Sequence, residues 1–227
     1  KDQIKKINKS KNFRLIGMGG STLGAETIYQ FLNHKIKKKF IFINNLSSIL
    51  KNNQKKIKAT NIIISKSGNT LETIANSNLL VNGNRNIFIT ENKKSYLTDL
   101  ANDLKAEIIE HKNFIGGRYS VLSEVGMLPA EIMGLNEKKF KRLNFLIKNK
   151  VFLNELIKNV SATLKFVKEK KFNSIILNYD KSADNLFKWY QQLVAESLGK
   201  KSKGILPIIS TMPKDNHSLL QLYLDGP

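Results

Sequence analysis

The sequence predicts an α/β protein, a three-layer α/β/α sandwich built on a parallel sheet. Short, β-branched and almost wholly apolar runs alternate with helical patterns along the chain. Such runs are typical of parallel strands that are buried on both faces. Right-handed crossovers then place helices on both sides of the sheet. With 227 residues and 41% hydrophobic content, the chain can form one large domain or two small ones.

The first part of the chain contains five predicted strands with helical segments between them. The predicted strands are residues 13–17, 40–44, 61–65, 86–90 and 106–111. The predicted helices are residues 21–34, 46–57, 69–80 and 95–104. This repeated unit predicts a complete α/β domain over residues 1–135.

From about residue 136 the pattern changes to a long, basic and helical stretch. Apolar residues recur there at three- and four-residue steps, which predicts a helix that buries one stripe. The stripe consists of Leu153, Leu156, Ile157, Val160, Leu164 and Val167. The alternation then resumes with predicted strands 174–178 and 205–210 and predicted helices 185–200 and 216–224. We interpret residues 136–227 as a helical linker region and a partial second α/β domain.

Composition excludes several classes of site. Cysteine is absent, so disulfides and thiolate metal sites are excluded. The three histidines are widely separated and match no metal-binding spacing, so no metal site is predicted. No apolar run reaches the roughly 18 residues of a transmembrane helix, and no secretory signal is visible. The sequence therefore predicts neither a membrane span nor a bound metal.

The net charge of +20 is compatible with several functions and selects none of them. The lysines are scattered over the polar faces of helical segments, and no repeat of basic and aromatic residues typical of single-strand binding stands out. We therefore expect no specific nucleic-acid binding. A positive field would still attract a small anionic substrate.

The first loop that could bind a ligand follows the first predicted strand. It reads "GMGGST" over residues 17–22, and three glycines in four positions let backbone approach a ligand closely. A dinucleotide-binding GxGxxG would need glycine where Thr22 stands, and no Gly-Lys-Ser/Thr of a P-loop is present. The alternative is an ordinary tight turn between a strand and a helix.

The second loop, "SKSGNT" over residues 65–70, lies where the third predicted strand meets its helix. A helix start offers unpaired N–H groups and the positive end of a dipole, and three nearby hydroxyls can donate further bonds. This combination suits a phosphate monoester. The alternative is plain N-capping by Thr70 or Asn69, with Glu72 in the first turn. Capping explains one or two of these residues, so we favour phosphate.

The third motif is "GGRYSVLSEVG", in which two glycines precede Arg118. A guanidinium on such a mobile backbone can point into a cleft, and its permanent charge suits a developing oxyanion. A surface arginine after a turn is the alternative.

The fourth motif lies on the predicted helix 185–200, where Gln192 and Glu196 are four residues apart and share one face. Glu196 is expected at the edge of a burying face, where partial desolvation would make it a better base. That face is formed by Leu186, Trp189, Tyr190, Leu193 and Ser197. From this motif alone, a solvated Glu196 paired with Lys200 is the favoured interpretation.

The fifth motif, "STMPKDNHSLLQLYLDGP", places His217 after a polar loop at a predicted helix start. A neutral imidazole there could exchange protons near pH 7. The alternative is a capping or packing histidine.

In this order, the five motifs resemble the phosphoglucose isomerase family (glucose-6-phosphate isomerases) of the sugar isomerase (SIS) superfamily. The resemblance rests on "GMGGSTLG", "SKSGNTLET", "GGRYSVLSEVG" and "ESLGKKSKGILPIISTMPKDNHSLLQLY", of which the last two are highly specific. It spans nearly the whole chain from Phe13 and is weakest over residues 136–170.

The resemblance implies two SIS domains and the interconversion of glucose 6-phosphate and fructose 6-phosphate through a cis-enediol, without metal or organic cofactor. It also implies a cytoplasmic homodimer with a shared active site. For the substrate phosphate it implies Ser65, Lys66, Ser67 and Thr70. For contacts with the sugar and its reacting carbons it implies Gly20, Ser21, Thr22, Gly117, Arg118 and Gln192. Glu196 would move the proton between C1 and C2, and His217, reaching the site from the partner subunit, would assist ring opening.

The chain also departs from the family pattern. Ser67 stands where the family often has threonine, and the hydroxyl is retained. The family's catalytic lysine near the C-terminus would lie beyond Pro227, and the leading segment is shortened, so we expect a fragment that is weakly active or inactive alone. Two alternatives stay open: a non-enzymatic SIS domain that binds phosphosugars, and a bifunctional glucose/mannose phosphate isomerase.

Overall fold

The computed structural model describes residue 7 and residues 10–46, 57–81 and 83–226. The chain forms two compact units, Lys1–Leu135 and Asn136–Pro227. The predicted helix 46–57 lies almost wholly outside the described residues. Within those residues, no helix has the length and apolar character needed to cross a lipid bilayer.

The first unit is built on a parallel five-stranded sheet in the order β2-β1-β3-β4-β5. Its strands are β1 (Asn12–Ile16), β2 (Lys39–Ile43), β3 (Thr60–Ile64), β4 (Asn86–Thr90) and β5 (Glu107–Glu110). Its helices are α1 (Leu23–Phe31), α2 (Leu71–Leu80), α3 (Tyr96–Asp103) and α4 (Glu124–Ile132). Every strand lies within one residue of its predicted bounds. The predicted parallel α/β fold is therefore confirmed.

The strand order makes this a doubly wound sheet. The chain moves from β1 to β2 on one side, then returns to add β3, β4 and β5 on the other side of β1. Since such crossovers are right-handed, α1 covers one face of the sheet, and α2 and α3 cover the other. The strand order reverses between β1 and β3, and the carboxyl ends of these two strands form the switch point.

Burial along the strands follows their position in the sheet. Strands β3 and β4 are buried at every residue, as predicted from their β-branched runs. The edge strands are less buried, because β2 and β5 each have a neighbouring strand on one side only. Ile108 in β5 is 39% exposed. The prediction that all strands are buried on both faces is therefore wrong at the sheet edges.

Alternating side chains of the strands supply two separate cores. On one face, Phe13 stacks on Phe40 with 5.1 Å between ring centroids, and Tyr29 of α1 packs on Phe40 at 5.6 Å. On the other face, apolar residues of the strands pack with residues of α2 and α3. This second core comprises Ile16, Ile43, Ile63, Leu80, Val81, Phe88, Leu97 and Ala101.

Polar side chains are buried at the amino-terminal edge of the same sheet. The amide of Asn61 in β3 donates to Asn86 Oδ1 in β4 at 2.8 Å and to the Leu80 carbonyl at 3.0 Å. The guanidinium of Arg14 in β1, wholly buried, donates to Asn61 Oδ1 at 3.2 Å. We call Arg14, Asn61 and Asn86 the asparagine ladder. It joins three neighbouring strands through side-chain hydrogen bonds.

The second unit contains a parallel pair of strands, β6 (Asn173–Asn178) and β7 (Leu206–Thr211). Its helices are α5 (Lys150–Lys168), α6 (Asp184–Leu198) and α7 (Leu220–Asp225). The predicted helix 216–224 begins differently, because Lys214–His217 forms a separate 3-10 turn before α7.

The long helical stretch also departs from its prediction. A 3-10 segment, Glu137–Lys148, ends at Asn149, whose side chain accepts a bond from the Phe152 N–H and so caps α5. The stripe predicted to be buried lies on α5, and none of this helix is buried. Ile157, for example, is 62% exposed. The predicted burial of the stripe is therefore wrong for the described chain.

Candidate active site

Three loops of the first unit lie at the carboxyl edge of the sheet, each directly after a strand. Residues 17–22 follow β1, residues 65–70 follow β3, and residues 111–117 follow β5. The first two flank the switch point between β1 and β3, which is where doubly wound sheets bind their ligands. Two of the loops predicted from sequence therefore lie side by side.

The glycine loop after β1 contacts the Gly-Gly-Arg motif directly. A Cβ atom on Gly20 would lie 2.4 Å from the Gly117 carbonyl oxygen and 2.7 Å from the Arg118 nitrogen. The hydroxyl of Ser120 donates to the carbonyls of both glycines, at 3.4 Å for Gly20 and 2.6 Å for Gly117. Glycine at position 20 is thus needed for close backbone approach. Sequence reasoning proposed roles for both motifs without predicting this contact.

The two hydroxyl residues of the first loop differ in accessibility. Ser21 is half-buried, whereas Thr22 is wholly buried and its hydroxyl donates to the Gly19 carbonyl at 3.3 Å. This geometry favours Thr22 as a residue that shapes the turn. A contact of Ser21 with a sugar stays a prediction.

The hydroxyl-rich loop is braced against the start of α3. Gly68 has a φ of +69°, and a Cβ atom on it would lie 2.0 Å from the Ser95 hydroxyl oxygen. The Leu97 N–H donates to the Gly68 carbonyl at 3.1 Å, and the Tyr96 N–H donates to Asn69 Oδ1 at 2.9 Å. The loop is therefore fixed by a neighbouring helix. Sequence reasoning considered Asn69 only as an alternative cap of its own helix and missed this role.

The hydroxyls of this loop bond to one another and to loop backbone. Ser65, which is buried, shares a bond of 2.9 Å with Thr70, and the Asn69 N–H donates to Ser67 Oγ at 3.2 Å. The Thr70 side chain makes no capping bond to α2. Side-chain capping therefore does not account for the loop. The positive end of α2 lies beside these hydroxyls, as an anion site requires.

Lys66 links this loop to the loop after β5. Its ammonium group donates to the Asn113 carbonyl at 2.7 Å and lies 3.6 Å from Glu91 Oε1. The pKa of Glu91 is lowered, chiefly by its hydrogen bond from Lys93, with a smaller contribution from Lys66. Lys66 therefore braces two loops, and its predicted contact with a phosphate stays a prediction.

Arg118 lies in the 3-10 segment Gly117–Leu122, immediately after the contact with Gly20. Its guanidinium lies 4.6 Å from the centroid of the Tyr119 ring, which orients a permanently charged group by cation–π attraction. The motif thus carries a fixed cation beside the glycine loop.

Two residues without a predicted role hold the loop after β5. His111 is 1% exposed, and its Nδ1 lies 3.1 Å from the Lys112 carbonyl and 3.9 Å from Glu124 Oε1. The Lys112 N–H donates to the same carboxylate at 3.2 Å. Glu124 at the start of α4 therefore anchors this loop. Its position directly after Ser123, the capping residue of α4, is the only sequence signal that we find.

Gln192 and Glu196 lie on α6 in the second unit. The Gln192 amide donates to Glu196 Oε1 at 2.9 Å, so the predicted shared face is observed. The other amide atom, Gln192 Oε1, is buried and has no hydrogen-bond partner among the described residues. Glu196 itself is exposed, and no residue of α6 is buried. The predicted burying face of α6 is therefore not observed in the described chain, whereas the exposure of Glu196 agrees with the solvated interpretation.

His217 closes the 3-10 turn after β7 and is exposed. Asp215 holds this turn, since its carboxylate accepts bonds from the Ser210 hydroxyl at 2.8 Å and the Thr211 N–H at 2.7 Å. The Ser218 hydroxyl adds a third bond at 3.2 Å. These bonds, that of Ser210 first, lower the pKa of Asp215. Sequence reasoning placed Asp215 in the loop and gave it no role.

A cavity of about 740 Å³ lies beside these loops, and none of their residues lines it. It follows β4 and α3, and its lining includes the carboxylates of Glu91, Asp99 and Glu110. The same lining also contains Lys93 and Lys94 and includes no residue of the three loops, so the chemistry of the loops, and not cavity size, marks the candidate site.

The architecture of the first unit, with its hydroxyl-rich loop at the switch point, is that of the SIS domains of phosphosugar proteins. Similarity to solved structures agrees at the level of fold. A hypothetical protein from Thermus thermophilus has a TM-score of 0.79 at 24% identity, over 100% of this chain and 61% of that one. Tagatose-6-phosphate ketose/aldose isomerase from Escherichia coli has a TM-score of 0.59 at 14% identity, over 96% of this chain and 61% of that one.

Sequence similarity is more specific. The protein-family model of phosphoglucose isomerase matches residues 4–205, so the chain belongs to the phosphoglucose isomerase family. The glucose-6-phosphate isomerase of Methanocaldococcus jannaschii is 35% identical over 99% of this chain and 60% of its own length. The chain thus spans about three-fifths of the length of this relative.

We predict that Gly68→Ala destabilises the first unit more than Gly83→Ala does. Both glycines have a φ of +69°, so both alanines carry backbone strain of roughly 1–2 kcal/mol. Only alanine at position 68 also meets the Ser95 hydroxyl, since nothing lies within 4 Å of a Cβ on Gly83. Urea unfolding measures the difference, which we expect to be at least about 1 kcal/mol. Equal destabilisation would contradict the described packing.

We predict that Ser210→Ala raises the pKa of Asp215 toward its ordinary value, and more than Ser218→Ala does. Because the folded pKa is lowered, the stabilisation of the turn is complete above the ordinary aspartate pKa, at about pH 4. It is lost as the pH falls through the lowered folded value. Carboxyl ¹³C NMR titration measures both midpoints, and an unchanged midpoint in Ser210→Ala would refute the assignment.

Proposed function

We propose that this chain is part of an aldose–ketose isomerase that interconverts glucose 6-phosphate and fructose 6-phosphate through a cis-enediol. The observation that carries the proposal is the meeting of three loops at the carboxyl edge of the sheet, where the glycine loop contacts Gly117 and Arg118 and the hydroxyl-rich loop contacts Asn113. Membership of the phosphoglucose isomerase family supports it. Such an enzyme of sugar-phosphate metabolism would work in the cytoplasm, where its substrates are.

In this proposal the substrate phosphate binds at the N-terminus of α2. The Ser67 and Thr70 hydroxyls and the backbone of Gly68 lie at this helix end. Hydroxyls, backbone N–H groups and the helix dipole all favour a dianion there. Lys66 would add a positive charge while keeping its bond to the Asn113 carbonyl. The sugar would then extend along Gly20 and Ser21 toward Gly117 and Arg118.

The proposed chemistry needs one base that faces two adjacent carbons. Glu196 would take the proton from C2 and return it to C1, since a carboxylate can hold a proton between the two transfers. Its hydrogen bond from Gln192 orients the carboxylate. Arg118 would stabilise the negative charge of the enediolate, because a guanidinium does not lose its proton.

Ring opening needs a group that exchanges protons near neutral pH, and we assign this role to His217. We propose a homodimer in which His217 of the partner subunit reaches the site. Exposed apolar side chains beside the Gly-Gly-Arg motif support an interface: Phe114 is 81% exposed and Leu122 is 57% exposed.

We predict that Ser67→Ala and Thr70→Ala each weaken the binding of glucose 6-phosphate. Each removes a hydroxyl from the proposed phosphate site, so the dissociation constant should rise about tenfold. Isothermal titration calorimetry measures it. Ser161→Ala, an exposed serine of α5, is the matched control and should leave the affinity unchanged. Unchanged affinity in both loop variants would place the phosphate elsewhere.

We predict that Glu196→Gln lowers the rate of fructose 6-phosphate formation by at least about 100-fold, because it removes the proposed base. The assay uses the full product of the gene that encodes this chain. Glu155→Gln is the control, since Glu155 is also an exposed helical glutamate and accepts a hydrogen bond from Lys158 at 2.7 Å. A rate within twofold of the unaltered enzyme in both variants would refute the role of Glu196.

Variants of Glu196 and His217 also test whether the partner subunit contributes His217 to the site. Mixed dimers of Glu196→Gln and His217→Ala should regain part of the activity that each variant lacks alone, because one of the two sites would then hold both unaltered residues. No recovery in proven mixed dimers would contradict a site shared between subunits.

A further inference from the structure

The first unit carries a second groove at the opposite edge of its sheet. This groove has a volume of about 310 Å³ and lies at the amino-terminal ends of the strands. Its lining includes three basic residues, Lys11, Lys58 and Arg85. They precede β1, β3 and β4, which are neighbours in the sheet. The topology therefore brings together three cations that are far apart in sequence. We call this feature the amino-edge groove.

The charges in the amino-edge groove are not balanced within the described chain. Its lining contains no aspartate or glutamate, and no ion pair between described residues includes any of the three cations. All three residues are exposed, so their long side chains can turn toward a ligand. Three like charges around one small concavity repel one another, and an anion between them would relieve that repulsion.

The floor of the amino-edge groove adds neutral donors. The hydroxyls of Ser10 and Thr60 share a hydrogen bond of 2.7 Å, and Thr60 is 2% exposed. One hydrogen joins the two oxygens, which leaves the other hydroxyl hydrogen for a ligand. Gly83, in the turn before β4, has open space where a side chain would stand. The amino-edge groove therefore has a hydroxyl donor at its floor and three cations around its rim. At residue 83 no side chain blocks its opening.

We propose that the amino-edge groove binds a small phosphate-bearing polyanion of about the size of pyrophosphate. Lysine and arginine side chains with hydroxyl donors are the groups that bind phosphate oxygens in proteins. The volume is at the lower end of the range for small-molecule sites. The groove is distinct from the candidate active site, because the five residues of β3 separate the two by roughly 16 Å.

General attraction by the net charge of +20 is the competing explanation. A matched pair of variants separates the two. Lys58→Gln/Arg85→Gln removes two of the three cations of the groove. Lys94→Gln/Lys105→Gln removes the same charge from two exposed lysines that do not line the groove. Lys94 follows β4 at the carboxyl edge of the sheet, and Lys105 precedes the edge strand β5. Both variants keep long polar side chains, so loss of folding is not expected.

The experiment titrates pyrophosphate into the chain at about physiological ionic strength and follows backbone amide signals by ¹⁵N NMR. Signals of Thr60 and Gly83 report on the amino-edge groove, and those of Gly68 and Asn69 report on the proposed substrate loop. We expect saturable shifts at Thr60 and Gly83, even with the substrate loop occupied by glucose 6-phosphate. Their dissociation constant should rise at least about tenfold in Lys58→Gln/Arg85→Gln and change less than twofold in the control.

Three results would overturn the proposal: no saturable shift at Thr60 and Gly83, equal weakening in the two variants, or displacement of pyrophosphate from the groove signals by glucose 6-phosphate. The test is independent of the proposed isomerase. If the isomerase proposal is wrong, only the rate measurements change. If the proposal for the amino-edge groove is wrong, only these NMR shifts change.

Discussion

The contact between Gly20 and Gly117 is the constraint on which the candidate site of the first unit depends. The two backbones meet so closely that a single Cβ atom on Gly20 would overlap the opposite carbonyl. The Ser120 hydroxyl, bonded to both carbonyls, closes the contact from one side. The position of Arg118 relative to the turn after β1 follows from this contact, because the arginine is the next residue along the chain.

The other two loops depend on bracing of a different kind. The hydroxyl-rich loop is held by backbone bonds from α3 to Gly68 and Asn69, and Lys66 ties it to the loop after β5. Bonds of this kind fix a loop before any ligand arrives, which lowers the entropy lost on binding. Residues that do not touch the proposed substrate thus determine how well the loop can receive it.

The sequence was sufficient for the sheet of the first unit and for the location of its loops. Runs such as that of β3 are so strongly β-branched and apolar that their bounds were predicted to within one residue. Contacts between distant segments were not predictable, because nothing in the glycines at 20 and 117 indicates that they meet. Periodicity also does not reveal what covers a helix. The stripe on α5 has a helical repeat, and yet none of that helix is buried.

The asparagine ladder has a consequence for how the sheet assembles. Its hydrogen bonds between side chains form only when β1, β3 and β4 align as they do in the native pairing. A strand displaced by one residue would turn an amide toward hydrocarbon without a partner, at roughly 1–3 kcal/mol for each group. Apolar side chains alone would tolerate such slippage, since one isoleucine packs much like another. The buried polar groups thus act against misaligned folding intermediates, in a sheet whose neighbouring strands are otherwise nearly interchangeable.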